Sequence, residues 1–364
     1  MLNERTSDRL HDFEKKQLDL NELFKSVGST GDEYSDLFIQ SFPRSKYINN
    51  DKIPPFNQLE SSRIAFWNCR GVLSSLDFLS TFLYSNRIGI LGLCETFLSD
   101  GNSSLVGVSG YRIVTRNRST RSKGGLAVFI DQNLPIRKIT DFNDLYQEME
   151  FEFLMVEIKP GKEKLLLCLF YRPPGSSASN FIGKLNDLTQ RMNFKNHKVV
   201  FMGDFNIDLG LVSSESQELR SLPVDLLTTC FSAGLVPTAR IPTRISEQSA
   251  SVIDNIFTNF NLHSSYVVLT DESDHSMLLG EFLINRLKSN PNIKVRRSID
   301  DKSLQNLRAK LTCSDWTSVY EEANPDAMAT LFIEKFSSAL DSACPFSKKR
   351  SRYATPKNLG SPKA

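Results

Sequence analysis

Apolar and polar positions alternate along the chain in a pattern that predicts an α/β domain between residues 61 and 287. Apolar runs of strand length recur throughout this stretch, and amphipathic segments of helical period separate them. The predicted helices follow residue 71, cover 180–192 and cover 223–235. The predicted strands are 63–68, 88–96, 111–115, 125–130, 154–159, 164–171, 199–202, 252–258, 266–270 and 276–283.

The two flanking segments have a different pattern. Residues 1–60 are polar and interrupted by Gly, Ser and Pro, which predicts a loosely ordered leader with one short helix near 12–24. Residues 288–364 begin with a polar, basic stretch and continue with helical patterns at 301–311 and 325–340. The basic cluster at 348–352 fits either a nuclear address or a solvated tail.

Composition narrows the class of protein. Of the 364 residues, 40% are hydrophobic and 24% are charged, as in a globular chain with a substantial core. The net charge is only +2, so any affinity for nucleic acid must come from local basic patches. Because no apolar run approaches the roughly 20 residues of a membrane span and no signal peptide opens the chain, we expect an intracellular protein without a membrane partner.

The cysteines and histidines give no sign of a structural metal. The six cysteines form no Cys-x-x-Cys pair, and the four histidines have no zinc-finger spacing relative to them. We therefore predict reduced, mostly buried thiols in a reducing compartment.

The stretch at 198–208 carries the first candidate chemistry. An apolar strand at 199–202 is broken by Gly203, and alternation then places Asp204 and Asn206 on one face while Phe205 points into packing. A carboxylate and an amide together at a strand end suit the orientation of a water or a hydrated metal. A strand followed by an Asp-Asn turn is the ordinary alternative.

Polar groups recur where other apolar runs end. In an assembly of two sheets such ends can converge on one rim. Together they suit metal-assisted attack of water on a phosphoester, with carboxylates for a hard cation and with acid, base, amide and phenol groups beside it. Asp254 joins the set because a carboxylate inside an apolar strand needs a partner. The residues at the strand ends are Asn68, Glu95, Tyr171, Asp204, Asn206, Asp274 and His275.

Each member also has a structural interpretation. Asn68 and Asn206 fit turns, and Glu95 fits a helix cap. Tyr171 fits packing beside two prolines, and His275 fits a core histidine.

A basic connection follows the strand at 111–115. It carries four cations, which fit contacts with a phosphate backbone or, equally, a solvated hairpin connection. These cations are Arg116, Arg118, Arg121 and Lys123.

The motifs, taken in order, resemble the endonuclease/exonuclease/phosphatase superfamily, which includes deoxyribonuclease I and apurinic/apyrimidinic endonucleases. Three of them are similar to the endonuclease domain of non-LTR (LINE-type) retrotransposon polyproteins: Tyr171-Arg-Pro-Pro174, Gly203-Asp-Phe-Asn206 and Ile253-Asp-x-Ile-Phe-Thr258. The full set also contains Asn68-x-Arg70-Gly71, Glu95-Thr96, Ser251-Val-Ile-Asp254 and Ser273-Asp-His275, and it runs from about Ile64 to Leu283.

The resemblance implies an α/β fold, a deoxyribonuclease I-like four-layer αββα sandwich with its site at one rim and a short helical C-terminal extension. It implies Mg²⁺, with Mn²⁺ as the alternative, and no small-molecule cofactor. Glu95 would be the main metal ligand, with Asn68 nearby and Asp274 close to the ion. Asp204, assisted by Asn206, would activate the attacking water, and Tyr171 would stabilise the phosphate. His275, held by Asp254, would bond a phosphate oxygen or act as acid or base, and Thr243 in Pro242-Thr-Arg244 would contact the substrate backbone.

The function that the resemblance implies is a Mg²⁺-dependent DNA endonuclease that nicks one strand and leaves a 3′-hydroxyl. DNA is then the expected partner and the nucleus the expected location, while the oligomeric state stays open. Residues 288–364 resemble the connector before a reverse transcriptase, and no Tyr-x-Asp-Asp motif or Cys/His knuckle is present, so we expect an endonuclease-bearing fragment or a truncated reading frame. The alternatives are a phosphatase of the same fold acting on inositol phosphates or sphingolipids, and an inactive nucleic-acid-binding remnant.

Overall fold

The computed structural model describes residues 4–19, 42–55, 61–119, 123–159, 164–192, 194, 197–246, 248–283, 293–297 and 300–350. The chain divides into two compact units, Met1–Leu287 and Lys288–Ala364.

The larger unit contains fifteen named strands and four α-helices within the described ranges. The strands are β1 (Ser45–Asn49), β2 (Ser61–Asn68), β3 (Ile88–Cys94), β4 (Tyr111–Arg116), β5 (Leu126–Asp131), β6 (Ile136–Ile139), β7 (Glu152–Ile158), β8 (Leu165–Tyr171), β9 (Lys198–Asp204), β10 (Val236–Pro237), β11 (Arg244–Ile245), β12 (Ala250–Ser251), β13 (Asp254–Thr258), β14 (Ser264–Leu269) and β15 (Met277–Leu283). The helices are α1 (Glu4–Lys15), α2 (Leu76–Ser85), α3 (Ala178–Arg191) and α4 (Gln217–Ser232). Short 3₁₀ turns lie at Asn50–Lys52, Leu73–Ser75, Ser103–Leu105, Asn143–Leu145 and Leu209–Ser213.

Two sheets form the centre of this unit. One has seven strands in the order β1-β14-β15-β2-β3-β5-β4, and the other has six in the order β10-β13-β9-β8-β7-β6. One apolar cluster fills the space between the sheets, a second joins α3 and α4 to the six-stranded sheet, and a third joins α2 to the seven-stranded sheet. The predicted α/β sandwich of four αββα layers is therefore confirmed.

The central strands are apolar throughout because both of their faces are covered. In β9, Val199 and Phe201 pack in the cluster beneath the helices, whereas Val200 and Met202 pack between the sheets. Successive side chains of a strand point to opposite faces, so a strand between two cores needs an unbroken apolar run. Phe205 continues the helix-facing side, which leaves Asp204 on the other face, as predicted.

Two helices differ in detail from their predictions. Helix α3 begins after Ser177, whose hydroxyl accepts a hydrogen bond from the Asn180 amide at 3.2 Å, two residues before the predicted start at Asn180. Helix α4 begins at Gln217 rather than at Pro223, which lies buried inside it. Because Pro223 is in only the second turn, its missing N–H removes one early hydrogen bond and does not end the helix.

The prediction of a loosely ordered leader is wrong for residues 42–55, which contain β1. Strand β1 pairs in parallel with β14, with Ser45 opposite Ser265 and Asn49 opposite Leu269, and forms the edge of the seven-stranded sheet. The Tyr47 hydroxyl donates to the Pro242 carbonyl at 2.9 Å. Helix α1 also begins at Glu4 rather than near residue 12, while residues 20–24 of the predicted helix lie outside the described ranges.

All six cysteines lie in described residues, and each is a free thiol. Five are buried and Cys313 is exposed, which agrees with the prediction of reduced, mostly buried thiols.

Gly203 allows β8 and β9 to approach closely where they deliver Tyr171 and Asp204. A Cβ at position 203 would lie 2.3 Å from the Phe170 carbonyl oxygen, so the Gly203→Ala variant must separate the two strands. We expect the substitution to lower the free energy of unfolding by about 1–3 kcal/mol, measured by urea denaturation. Gly183→Ala in α3 is the matched control, because a Cβ there meets nothing within 4 Å and alanine favours a helix. Equal stability of the two variants would contradict the close approach.

The smaller unit contains a strand pair and three helices within its described residues. Strand β16 (Ile293–Arg297) pairs antiparallel with β17 (Phe346–Arg350), and the helices are α5 (Asp301–Cys313), α6 (Thr317–Tyr320) and α7 (Pro325–Ala343). Asp300 and Ser303 form a capping box at α5, and Asn324 caps α7 with Pro325 in its first turn. Residues 351 and 352 of the predicted basic cluster lie outside the described ranges. Among the described helices of the whole chain, none is long and apolar enough to cross a membrane.

Candidate active site

The ends of strands from both sheets meet at one rim. Asp204 ends β9, and its Cα partners are Tyr171 at the end of parallel β8 and Asp254 at the start of antiparallel β13. Asn68 ends β2 of the other sheet and pairs with Cys94, the residue before Glu95. The predicted convergence of strand ends is therefore present in the structure.

Asn68 joins two carboxylates across the sheets. Its Nδ2 donates to Glu95 Oε1 and to Asp204 Oδ2, each at 2.9 Å, and its Oδ1 accepts from the Arg70 amide at 3.3 Å. Since the amide nitrogen faces both carboxylates, Asn68 fixes their positions. In this structure Asn68 is bonded to both carboxylates, and its place beside a metal ion stays a prediction.

Tyr171 orients Glu95. The phenol donates to Glu95 Oε1 at 2.9 Å. Burial raises the pKa of Tyr171 and the Glu95 charge raises it further, so the phenol remains a neutral donor. Glu95 has a φ of 52°, a backbone conformation that is strained for a side chain of this kind. Tyr171 also lines the cleft described below, and its contact with phosphate stays a prediction.

Asp204 is only 1% exposed and lies at the centre of the rim. Its Oδ1 accepts from the Asn206 amide at 2.9 Å, and Asn206 has a φ of 48°. Burial raises the pKa of Asp204 to about 7, and the Asp254 charge adds to this effect, whereas His275, Asn68 and Asn206 oppose it. A carboxylate that titrates near neutral pH can accept a proton from water.

His275 lies between two buried carboxylates. Its Nδ1 is 2.9 Å from Asp254 Oδ2, and its Nε2 is 4.0 Å from Asp204 Oδ2. Burial lowers the pKa of His275, but the charges of Asp254, Asp204 and Asp274 and the Asp254 hydrogen bond outweigh burial and raise that pKa to about 9. At neutral pH Nδ1–H therefore donates to Asp254 and Nε2–H is turned toward Asp204. The buried Asp254 thus has the partner that the sequence required.

Thr243 supports Asp254 from behind. The threonine hydroxyl donates to Asp254 Oδ2 at 2.7 Å and accepts from the Asp254 amide at 3.1 Å. Its side chain is fully buried. In this structure Thr243 orients the partner of His275, and its contact with the substrate backbone stays a prediction.

Asp274 lies between two arginines. Its Oδ1 is 2.9 Å from Arg70 Nη1, and its Oδ2 is 2.7 Å from Arg244 Nη2. Burial raises the pKa of Asp274, but His275, Arg244 and Arg70 outweigh it and the net pKa is lowered. Both carboxylate oxygens are bonded to guanidinium groups, and a position of Asp274 close to the metal stays a prediction.

Arg116 does not take the predicted place of a phosphate contact. Its guanidinium lies 3.4 Å from the centre of the Tyr146 ring and donates to the Phe153 carbonyl at 3.2 Å and to Asn143 Oδ1 at 2.9 Å. The side chain is thereby engaged within the protein.

The other cations of the basic connection have different positions. Arg118 is nearly buried, pairs with Glu152 Oε1 at 2.8 Å through Nε, and lies 5.6 Å from the centre of the Tyr171 ring. Lys123 is exposed and lines the cleft described below, and Arg121 lies outside the described residues. The predicted four-cation contact surface is therefore reduced, among the described members, to Lys123 and the paired Arg118.

The site opens into a cleft of about 690 Å³. The residues lining the cleft are Arg70, Glu95, Arg118, Lys123, Gly124, Met149, Tyr171, Pro173, Pro174, Asp204, Asn206, Arg244, Asp274 and His275.

Three arginines near the site had no assigned role in the sequence interpretation: Arg70, Arg172 and Arg244. Arg172 is buried and donates to the Phe205 carbonyl at 2.7 Å and to the Asn206 carbonyl at 2.5 Å, which fixes the loop after Asp204. The only sequence signal was their place within the quoted motifs, directly beside residues with predicted roles.

The donor set fits a hard divalent cation. Glu95 and Asp204 both offer carboxylate oxygens to the open cleft, and Asn68 holds the two carboxylates in register. Asp204, Asp254 and His275 also have ligand atoms within 4.8 Å of one another, but His275 Nδ1 is already bonded to Asp254. Oxygen ligands suit Mg²⁺ or Mn²⁺, so Glu95 with Asp204 is the better-matched set.

Comparison with known proteins adds a family match and a fold match. Residues 165–279 match the family model described as "Endonuclease-reverse transcriptase". Among curated proteins, none matches the chain. The crystal structure of the AP endonuclease LMAP from Leishmania major is similar at a TM-score of 0.50 and 14% identity, over 73% of this chain and 99% of that one. The endonuclease domain of TRAS1, a telomere-specific non-LTR retrotransposon, has a TM-score of 0.49 and 17% identity, over 62% of this chain and 100% of that one.

The matched stretch contains seven of the predicted site residues: Tyr171, Asp204, Asn206, Thr243, Asp254, Asp274 and His275. At 14% identity the likeness to the AP endonuclease establishes the fold alone. The resemblance predicted from the motifs is thus confirmed: over residues 165–279 the chain is similar to the endonuclease-reverse transcriptase family, on a fold that it shares with the AP endonucleases.

Proposed function

We propose that this protein is a metal-dependent endonuclease that hydrolyses a phosphodiester bond of DNA and leaves a nick with a 3′-hydroxyl. The observation that carries the proposal is the position of Asp204. This buried carboxylate, whose pKa is raised to about 7, lies 4.0 Å from His275 at the base of an open cleft with arginine and lysine side chains on its walls.

Asp204 and His275 would divide the proton transfers. Asp204 accepts a proton from water as the water oxygen bonds to phosphorus and the bond from phosphorus to the 3′ oxygen breaks. Protonated His275, with Nδ1–H held by Asp254, points Nε2–H toward the same place, where it donates to a phosphate oxygen or to the leaving 3′ oxygen. Asn206 and Asn68 hold both oxygens of Asp204 in fixed directions.

Glu95 would hold Mg²⁺, or Mn²⁺ as the alternative, together with Asp204. A cation bound there would supply Lewis-acid stabilisation of the charge on the phosphate. Tyr171 and Asn68 both donate to Glu95 Oε1, which orients that carboxylate toward the cleft.

The decisive test is the conversion of supercoiled plasmid to the open-circular form. We expect nicking with Mg²⁺, none with excess EDTA, and recovery when Mg²⁺ is restored. Extension of the nick by a DNA polymerase would identify the 3′-hydroxyl. Release of phosphate from inositol phosphates without nicking would instead favour a phosphatase, and DNA binding without hydrolysis would favour an inactive remnant.

The pH dependence should show two limbs. Because the pKa of His275 is about 9, the fraction of the protein with Nε2 protonated falls above pH 9. We therefore expect kcat/KM for plasmid nicking to fall above pH 9. Protonation of Asp204, whose pKa is about 7, reduces the rate on the acid side, and a cation beside Asp204 moves this limb to lower pH. A rate that keeps rising through pH 9 would contradict the acid role of His275.

A further inference from the structure

Arg70 and Arg244 form an unusual pair at the mouth of the cleft, because they share one carboxylate. Asp274 accepts from Arg70 Nη1 at one oxygen and from Arg244 Nε and Nη2 at the other, over 2.7–2.9 Å. Two guanidinium groups and one carboxylate leave a net charge of +1. Both arginine side chains are about half exposed, at 56% and 47%, and both line the cleft that contains Asp204.

The backbones of the two arginines are fixed to the catalytic residues. The Arg70 amide donates to Asn68 Oδ1, and Arg70 has a φ of 45°, in the left-handed region. The next amide, of Gly71, donates to the Glu95 carbonyl at 2.8 Å. Arg244 forms an isolated antiparallel bridge with His275, and the amide of Ser276 donates to the carbonyl of Thr243 at 2.7 Å. Both guanidinium groups are therefore positioned relative to Asn68 and His275 before any ligand binds.

Asp274 uses only some of the N–H donors of the two guanidinium groups. A guanidinium has five N–H donors, while Asp274 engages one nitrogen of Arg70 and two of Arg244. Stability gives little reason for the arrangement, since exposed ion pairs contribute roughly 0–1 kcal/mol. Planar N–H pairs match the oxygens of a phosphate, which a guanidinium can bind in a bidentate manner.

We propose that Arg70 and Arg244 are a phosphate clamp for the DNA backbone, binding a phosphate that flanks the one hydrolysed, and that Asp274 is the bridge that fixes the spacing of the two guanidinium groups. The identification of DNA as the ligand rests on the proposed function. The clamp takes the backbone-binding role predicted for the connection at 116–123, where Arg116 lies on Tyr146 and Arg118 pairs with Glu152. Asp274 then acts as a positioning residue.

The test measures binding separately from hydrolysis. Arg70→Gln and Arg244→Gln are titrated against a fluorescent DNA duplex in EDTA, at several salt concentrations. We expect each variant to raise Kd about tenfold at low salt and to reduce the slope of log K against log salt by about 1. Arg220→Gln is the matched control, since Arg220 is exposed on α4 and does not line the cleft.

A second arm compares two substrates in Mg²⁺. Bis-p-nitrophenyl phosphate is a diester with a single phosphate, so it has no flanking phosphate for the clamp. The loss of kcat/KM in the two variants should be greater on DNA than on this diester, and should arise from KM. Equal losses on both substrates, or binding at wild-type affinity and salt slope, would overturn the clamp.

Two further measurements distinguish the loss of the clamp from misfolding of the variants and from a failure of the proposed endonuclease activity. Arg70→Lys and Arg244→Lys keep the charge but not the planar fork, so we expect the salt slope to recover while affinity recovers only in part. The folded fraction of each variant is measured by circular dichroism. If DNA binding falls in proportion to the folded fraction, and does so in the lysine variants as well, the clamp is overturned. A wild-type chain that binds DNA with the arginine-dependent slope but never nicks it would refute the endonuclease and leave the clamp supported.

Discussion

Asp204→Asn is expected to slow plasmid nicking by about 10²- to 10⁴-fold while DNA binding is retained, because an amide of the same shape cannot accept a proton from water. Asparagine keeps the shape of the side chain, but Asp204 accepts from the Asn206 amide and from Asn68 at its two oxygens, so the NH2 group of the variant loses one of these bonds. The rate should be measured under single-turnover conditions, with excess protein over plasmid, and binding by fluorescence anisotropy in EDTA.

Asp225→Asn provides the control for this substitution. Asp225 is an exposed carboxylate on α4, so its neutralisation changes the net charge equally without touching the cleft. Nicking by Asp204→Asn within tenfold of the Asp225→Asn rate would remove Asp204 as the general base.

His275→Asn should cost about as much as Asp204→Asn, roughly 10²- to 10⁴-fold in the nicking rate. Asparagine can still donate to Asp254, so the buried carboxylate keeps a partner, but no titratable group faces Asp204. That choice matters because removal of one partner from a buried ion pair costs about 3–5 kcal/mol of stability, and His275→Ala would combine this effect with the loss of chemistry. Unfolding by urea, measured alongside the rate, separates the two contributions.

Asp254→Asn tests whether Asp254 acts through His275. If it only orients and charges the ring, the double variant with His275→Asn should be about as slow as His275→Asn alone, because groups that act as a unit give non-additive losses. Losses that multiply in the double variant would mean that Asp254 has an independent role.

The core strands of the α/β domain could be predicted from the sequence because they carry a strong periodic signal, whereas their arrangement in a four-layer sandwich was implied by the motif resemblance. The run from Val199 to Met202 is apolar on both faces, and Gly203 marks the end at which Asp204 appears. The strand ends predicted at Tyr171 and Asp204 lie side by side, because β8 and β9 are parallel neighbours. Asp254, which was included because a buried carboxylate needs a partner, lies opposite Asp204 at the start of β13. The periodic pattern shows which residues of a strand are buried and where the strand ends. In an assembly of two sheets such strand ends can converge on one rim.

Periodicity does not state which partner a polar side chain will meet. Thr243 lies in a stretch that the sequence predicts as a loop, and only the folded chain shows that its hydroxyl donates a hydrogen bond to Asp254. Arg118 likewise meets Glu152 from a neighbouring strand, a pairing set by tertiary packing rather than by local pattern. Strand β1 was missed because Ser45–Asn49 is a polar edge strand with no strong alternation.

That edge strand has a practical consequence for shortened versions of the protein. A chain cut to begin at residue 61, where the hydrophobic pattern starts, would lack β1 and leave the outer edge of β14 unpaired. Free strand edges recruit other chains, so such a product would be prone to self-association and inclusion bodies. It would also lose the Tyr47 bond to Pro242, next to the threonine that steadies Asp254. Recombinant boundaries should therefore fall upstream of Ser45.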